Sequence, residues 1–350
     1  MTKAIVESTM NRMMHRLLAD GVHYRDALDI CAATPNWESW CDCWSRWAAD
    51  GEKRGDIALA KGAKLTAADE YARAAVYYHY AQTLLYHDLA KKEATHARKV
   101  AAFNRAAPLF DPPIELVSIP FEGIGLAGHF RVPHGVKSPP CVILMGGLDT
   151  TKEDYIIVNN YCIERGLATL AFDGPGQGET QFKMRWRQDN YRAVSAVIDY
   201  LEKRPEIDSG RVGVCGRSMG GHYAPRAAAV DERIKAVVSW GAMYHLKDLS
   251  KIPEHVVQGL MYVSGTKSMI EAQTFFECLN LEGYAEKITC PLLVIHGGRD
   301  RITPMDHATR LIKETRGKVE ALIWEDSIHC CHDRSHIVRP AIADFMGANL

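Results

Sequence analysis

The sequence predicts an α/β protein, with an eight-stranded, mostly parallel sheet behind an all-helical N-terminal segment. Three observations carry this expectation. Apolar β-type runs alternate with helical patterns from residue 114 onward, the signature of parallel strands buried on both faces. Residues 1–110 keep helical spacing throughout and end at Pro108, Pro112 and Pro113, where the chain cannot continue a helix. Between the two halves of the α/β region, Gly216-Arg217-Ser218-Met219-Gly220-Gly221 joins an apolar run to an Ala-rich helical stretch.

The helical segment begins with Met10, Met13, Met14, Leu17 and Leu18 at helical spacing, broken at Asp20-Gly21. Trp37, Trp40, Trp44 and Trp47 then form one stripe on one predicted helix. A stripe of this kind packs on neighbouring helices, or roofs an aromatic-lined pocket, or does both. Residues 57–89 are rich in Ala and Tyr, including Tyr71, Tyr77, Tyr78, Tyr80 and Tyr86. Small and large residues in that mixture predict closely packed antiparallel helices. A further helix is expected from about Lys91 to Ala106. Trp44 and Tyr80 in this segment, with Trp240 farther on, are candidate substrate contacts.

The α/β region opens with a hairpin-like pair, Ile114 to Pro120 and Leu126 to Val132, around Glu122-Gly123. Six further strands are expected at Cys141–Met145, Ala168–Phe172, Val212–Cys215, Ala236–Trp240, Leu292–His296 and Glu320–Trp324. Asn190 to Arg204 reads as the crossover helix before the Ser218 strand. The stretch 242–287 is longer than an ordinary connection and reads as a helical insertion over the strand ends, a lid. The expected organisation is therefore a helical cap domain at 1–110 and a catalytic domain at 111–350 that carries the insertion.

Composition narrows the function classes. Apolar residues make up 47% of the chain and charged residues 24%, with a net charge of −1. No basic stripe points to nucleic acid. No apolar run approaches the ~20 residues of a bilayer span, and the N-terminus has no signal-peptide core, so a cytoplasmic protein is expected. The 10 cysteines lack a disulfide-framework spacing and read as reduced thiols. Cys41-Asp42-Cys43 and His329-Cys330-Cys331-His332 lack a second pair at zinc-site spacing, so no metal and no cofactor are expected.

The Ser218 turn carries the chemistry. Strand, G-x-S-x-G, helix is the context of a nucleophile elbow, in which the glycines let strand and helix approach closely around a strained serine. A serine nucleophile needs a histidine base, and the base needs an orienting acid. In this chain order the acid follows the serine and the histidine comes last. Asp300 sits in the loop after Leu292–His296, at a strand's C-terminal end; the alternative is a turn-stabilising Asp. His329 directly follows the last strand and is preferred over His332 and His336 for that reason. The oxyanion formed on attack needs two backbone donors. One is expected at the amide of Met219, the other at Gly147 or Leu148 in the loop after Cys141–Met145. Asp173-Gly174-Pro175-Gly176-Gln177-Gly178 reads as a tight turn supporting the site, not a phosphate loop, since no helix with a Lys follows.

From about Glu115 onward the chain resembles the serine α/β-hydrolases. Tyr77-Tyr78-His79-Tyr80-Ala81-Gln82, Gly146 to Glu153, Cys215 to Gly221, Ser239-Trp240-Gly241 and His329 to His332 together resemble the 2,6-dihydroxypseudooxynicotine hydrolase-like family. That family includes fungal polyketide-shortening hydrolases and, more distantly, the fermentation–respiration switch protein. The resemblance implies a helical domain covering the site, a homodimer, and in several members hydrolysis of a carbon–carbon bond next to a ketone. By position, Ser218, Asp300 and His329 match the family's triad. The expected function is hydrolysis of an acyl group in a small aromatic or ketone-bearing molecule, at a carbon–carbon or ester bond. Lactone or amide hydrolysis, and a non-catalytic regulator on the same fold, are the alternatives.

Overall fold

The computed structural model describes residues 2–350, which divide into two compact units at residues 116 and 117.

The first unit is all-helical: α1 (Lys3–Ala19), α2 (Tyr24–Ala33), α3 (Trp40–Ala60), α4 (Lys64–Gln82) and α5 (Leu89–Ala106). The expected Ala and Tyr interlock is present. A Cβ placed on Gly55 of α3 would stand 2.4 Å from the Tyr71 ring of α4, and one on Gly51 would stand 3.3 Å from Ala74 Cβ. Only small residues on α3 let α4 come this close. The tyrosines bury their rings and keep a partner for each hydroxyl, as buried phenols must. Tyr77 donates to Asp26, Tyr78 to Glu52 and Tyr80 to Asp20, at 2.5–2.7 Å.

The structure differs from expectation in two places here. Trp37 belongs to a 3-10 turn, Trp37–Ser39, while the other three tryptophans lie on α3. The stripe nevertheless survives, with Trp37 stacked on Trp40 at 5.1 Å and Trp40 against Trp44 at 5.7 Å. Ile57 closes α3 and does not open the next helix, because Gly62 takes a left-handed φ of 75° just beyond the end of α3.

The second unit is a mostly parallel sheet with helices on both faces. Its sheet comprises β1 (Glu115–Phe121), β2 (Ile124–Arg131), β3 (Cys141–Met145), β4 (Ala168–Phe172), β5 (Val212–Arg217), β6 (Ile234–Trp240), β7 (Leu292–Gly297) and β8 (Val319–Trp324), in the order β1-β2-β4-β3-β5-β6-β7-β8. β2 runs antiparallel to β4, and the strands from β4 to β8 pair in parallel. Every residue of β3, β4, β5 and β7 is buried, so their mostly apolar composition follows from packing on both faces. α6 (Ile156–Glu164) and α12 (Ser335–Asn349) cover one face, contributing Val158, Cys162, Val338 and Ile342. α7 (Arg192–Leu201), α8 (Gly220–Ala228) and α11 (Met305–Glu314) pack on the other. The insertion between β6 and β7 forms α9 (Glu254–Ser264) and α10 (Met269–Phe276) with flanking 3-10 turns.

Register brings the strand ends together. Met145 of β3 pairs with Gly216 of β5, and Trp240 of β6 with Arg217. The loops after β3, β5, β6, β7 and β8 therefore converge where ligands bind in such sheets.

Candidate active site

Ser218 sits at the tip of the turn between β5 and α8 with φ of +60°, a left-handed conformation that costs a non-glycine residue on the order of 1–3 kcal/mol. The residues two positions to either side, Gly216 and Gly220, must be glycines. A Cβ on Gly216 would fall 1.9 Å from Gly220 O, and one on Gly220 would fall 2.6 Å from Met145 O. The Ser218 amide donates to Trp240 O at 2.7 Å, which ties the strained turn to β6.

His329 Nε2 lies 2.9 Å from Ser218 Oγ, and His329 Nδ1 lies 2.6 Å from Asp300 Oδ2. Asp300 is itself fixed. Its Oδ1 accepts from the amides of Ile302 and Thr303 at 2.8 and 3.0 Å, and its Oδ2 accepts from Thr303 Oγ1 at 2.8 Å. It thus bonds both its own turn and the His329 imidazole. Burial alone would raise its pKa, but His329 and the donated hydrogen bonds outweigh that and lower it below the ordinary carboxylate range. For His329 the balance is mirrored. Burial favours the neutral ring, while the Asp300 carboxylate outweighs it and raises the pKa well above the ordinary histidine value. The chain of partners also selects the tautomer: the proton on Nδ1 goes to Asp300, leaving Nε2 to accept from the serine.

The competing histidines are placed differently. His332 is buried with its ring 6.4 Å from that of Trp240, and His336 is exposed on α12. His222 and His307 are pushed down to about 3 and about 4 by burial, so both are neutral at ordinary pH.

The loop after β3 lies against the elbow. A Cβ on Gly147 would stand 2.8 Å from Ser218 Cβ and 3.2 Å from the Met219 nitrogen. Among the described residues, the amides of Gly147, Leu148 and Met219 donate no hydrogen bond.

The aromatic residues expected to contact substrate take other positions. Trp240 is fully enclosed, and its indole N–H donates to Cys330 O at 2.6 Å. It holds the loop that carries His329, with Cys330 and Cys331 at left-handed φ of 56° and 49°. Trp44 and Tyr80 lie in the core of the helical unit, their rings 5.7 Å apart, and Tyr80 is tied to Asp20.

Among the described residues, two groups of side chains have metal-like composition. In Glu153, Asp173 and Glu179 a cation is already present, since Lys152 Nζ sits 2.6, 2.9 and 2.7 Å from their carboxylates. Burial opposes the charge on Lys152, and the three carboxylates outweigh it and raise its pKa. In His245, Asp306 and His307, His307 Nδ1 accepts from the Tyr244 amide at 3.0 Å. The neutral ring then carries its proton on Nε2 and offers no free lone pair there.

Comparison with known proteins places the chain in a family. The family described as "Esterase FrsA-like" matches residues 5–315. The chain belongs to that family. It is 32% identical to 2,6-dihydropseudooxynicotine hydrolase of Paenarthrobacter nicotinovorans, over 95% of this chain and 90% of the relative. The crystal structure of the 2,6-dihydroxy-pseudo-oxynicotine hydrolase superposes with a TM-score of 0.90 at 32% identity, covering 96% of this chain and 95% of that one. A hydrolase of Aspergillus aculeatus, acrC, is 28% identical over 81% of this chain and 80% of its own length. Together the family and its members make this FrsA-like chain a hydrolase on an α/β-hydrolase fold. No helix among the described residues is long and apolar enough to cross a membrane.

Proposed function

We propose that this enzyme is a serine hydrolase that cleaves an acyl group from a small, ketone-bearing or aromatic molecule through Ser218, His329 and Asp300. The observation that carries the reading is the unbroken chain from Ser218 Oγ to His329 at 2.9 Å and from His329 to Asp300 at 2.6 Å. His329 Nε2 takes the serine proton as Oγ bonds to the substrate carbonyl carbon. The carbonyl electrons move onto oxygen, where amides from Met219 and from Gly147 or Leu148 receive the charge. Each such donor contributes roughly 3–4 kcal/mol to the transition state. As the oxyanion collapses, the bond to the leaving group breaks and the imidazolium returns its proton to the departing carbanion or alkoxide. Water then repeats the sequence on the acyl-enzyme and frees Ser218.

Two bond types fit this sequence. A carbon leaving group requires stabilisation by its own conjugation, as in a 1,3-diketone, whereas an ester releases an alkoxide directly. The likeness to 2,6-dihydropseudooxynicotine hydrolase favours a substrate with a carbonyl next to the scissile bond. A homodimer, and a role for the helical unit in substrate selection, belong to the same reading. A hydrolysis screen of 1,3-diketones, aryl esters and lactones tests the reading, with Ser218→Ala as the control. Turnover in the wild type that vanishes in the variant is expected; equal turnover in the two would overturn it.

A further inference from the structure

The turn at 173–178 does more than brace the site, because one of its side chains controls the direction of the oxyanion loop. Gln177 is 3% exposed, and its Nε2 donates to two successive carbonyls, Gly146 O at 2.6 Å and Gly147 O at 2.7 Å. Its Oε1 accepts from the Gly174 amide at 3.0 Å. Two acceptors on one side and a donor on the other fix the amide's orientation, since the flipped side chain would face like against like.

A trans peptide carries its C=O and its next N–H on opposite edges of one plane. The Gly146 carbonyl therefore sets the Gly147 N–H, and the Gly147 carbonyl sets the Leu148 N–H. In an extended chain successive carbonyls alternate in direction. Here both aim at one nitrogen, so both N–H groups leave the loop on the side away from Gln177. That is the arrangement of an anion-binding nest. Neither amide donates a hydrogen bond among the described residues, and Gly147 packs on Ser218 and Met219. Glycines at both positions make rotation of these peptides sterically inexpensive. A rotated 147–148 peptide would present a carbonyl oxygen to the developing oxyanion in place of an N–H.

Gln177 is itself rigidly seated. Its turn is held by Asp173, which accepts from the Lys152 amide at 2.9 Å, Lys152 Nζ at 2.9 Å and the Glu179 amide at 3.1 Å. The loop's far end is anchored separately, Arg217 donating to Thr150 Oγ1 at 2.8 and 3.1 Å.

We propose that Gln177 is a positioning residue for the oxyanion hole, holding the Gly146 and Gly147 carbonyls so that the amides after them face the Ser218 oxyanion. This inference rests on the Ser218 reading above. It predicts a loss confined to the transition state. Gln177→Met and Gln177→Glu both preserve side-chain length and remove the donor. Each is expected to lower kcat roughly 10–100-fold, less than the ~10²–10³-fold of deleting a donor outright. KM should stay within about threefold, because the bond matters only when charge develops. An aryl boronic acid, which forms a tetrahedral adduct on the serine, should lose affinity by the same factor as kcat/KM falls. Rates are referred to the fraction of chains that a fluorophosphonate labels at Ser218, so loss of folded protein does not count as loss of turnover. Wild-type kcat in both variants would overturn the proposal, as would a fall in kcat with unchanged boronate affinity. If Ser218→Ala is inactive while the Gln177 variants turn over normally, the Gln177 inference alone fails. Activity retained in Ser218→Ala would instead remove the triad on which it rests.

Discussion

Replacing Asp300 with Asn leaves the shape of the site intact and reverses one proton. Asp300 faces four donors: two amides on Oδ1, and Thr303 Oγ1 and His329 Nδ1 on Oδ2. An asparagine satisfies the two amides only by turning its carbonyl toward Ile302 and Thr303. Its NH2 then faces His329 Nδ1 and Thr303 Oγ1. The hydroxyl can rotate to accept, but the imidazole must give up its Nδ1 proton and carry it on Nε2. Nε2 then donates toward Ser218 and has no lone pair for the serine proton. The same wrong-tautomer change costs roughly 10⁴-fold in kcat in a Ser-His-Asp protease, and a loss of that order is expected here. The pH profile should move as well. With Asp300 present, the raised pKa of His329 places the acid limb of kcat/KM above the ~6.5 of an unperturbed histidine. Activity falls below that limb, because protonated His329 cannot act as a base. Removing the carboxylate leaves burial as the dominant influence, so the residual activity should have its acid limb at lower pH. Steady-state kinetics from pH 5 to 9 on wild type and Asp300→Asn measure both effects. A variant with near-wild-type kcat, or with an unmoved acid limb, would refute the assignment of Asp300 as the orienting acid.

Two further outcomes are expected. Trp240→Phe removes the donor to Cys330 O while keeping an aromatic ring in the core, so kcat should drop about tenfold from a loosened His329 loop, with KM nearly unchanged; a rise in KM at constant kcat would return Trp240 to a substrate-contacting role. A chain beginning near Pro112 should hydrolyse small activated esters and lose selectivity for large substrates, or be insoluble; full activity and unchanged selectivity would remove the role assigned to the helical unit.

The strands were legible because burial on both faces selects mostly apolar residues: β3 is apolar throughout, and β4 and β7 are apolar apart from the buried Thr169 and His296. The clustering of Ser218, Asp300 and His329 was legible because each follows a strand, and parallel strands deliver their C-terminal ends to one edge. Trp240 shows what pattern alone misses. Successive strand residues face opposite sides. Ser239 bonds Gly221 O on the α8 side, so Trp240 must point to the α6 and α12 side, into the core beneath the His329 loop. Alternation along β6 already contained that answer. Gln177 is different. The Asp173–Gly178 turn was visible as Gly-rich and supporting, but the two carbonyls its side chain reaches lie about 30 residues away. Only the pairing of β3 with β4 brings them together. The strained Cys330 and Cys331 carried no local signal either, because their left-handed conformations follow from how the loop packs on Gly241, where a Cβ would stand 2.5 Å from Cys330 Sγ.

The most direct test of the account is covalent labelling of the native enzyme with a fluorophosphonate, read by peptide mass spectrometry alongside turnover. The account predicts one label per chain, on Ser218, with activity lost in proportion to labelling, and neither label nor turnover in Ser218→Ala. Full labelling at another residue, or turnover that survives complete modification of Ser218, would contradict it.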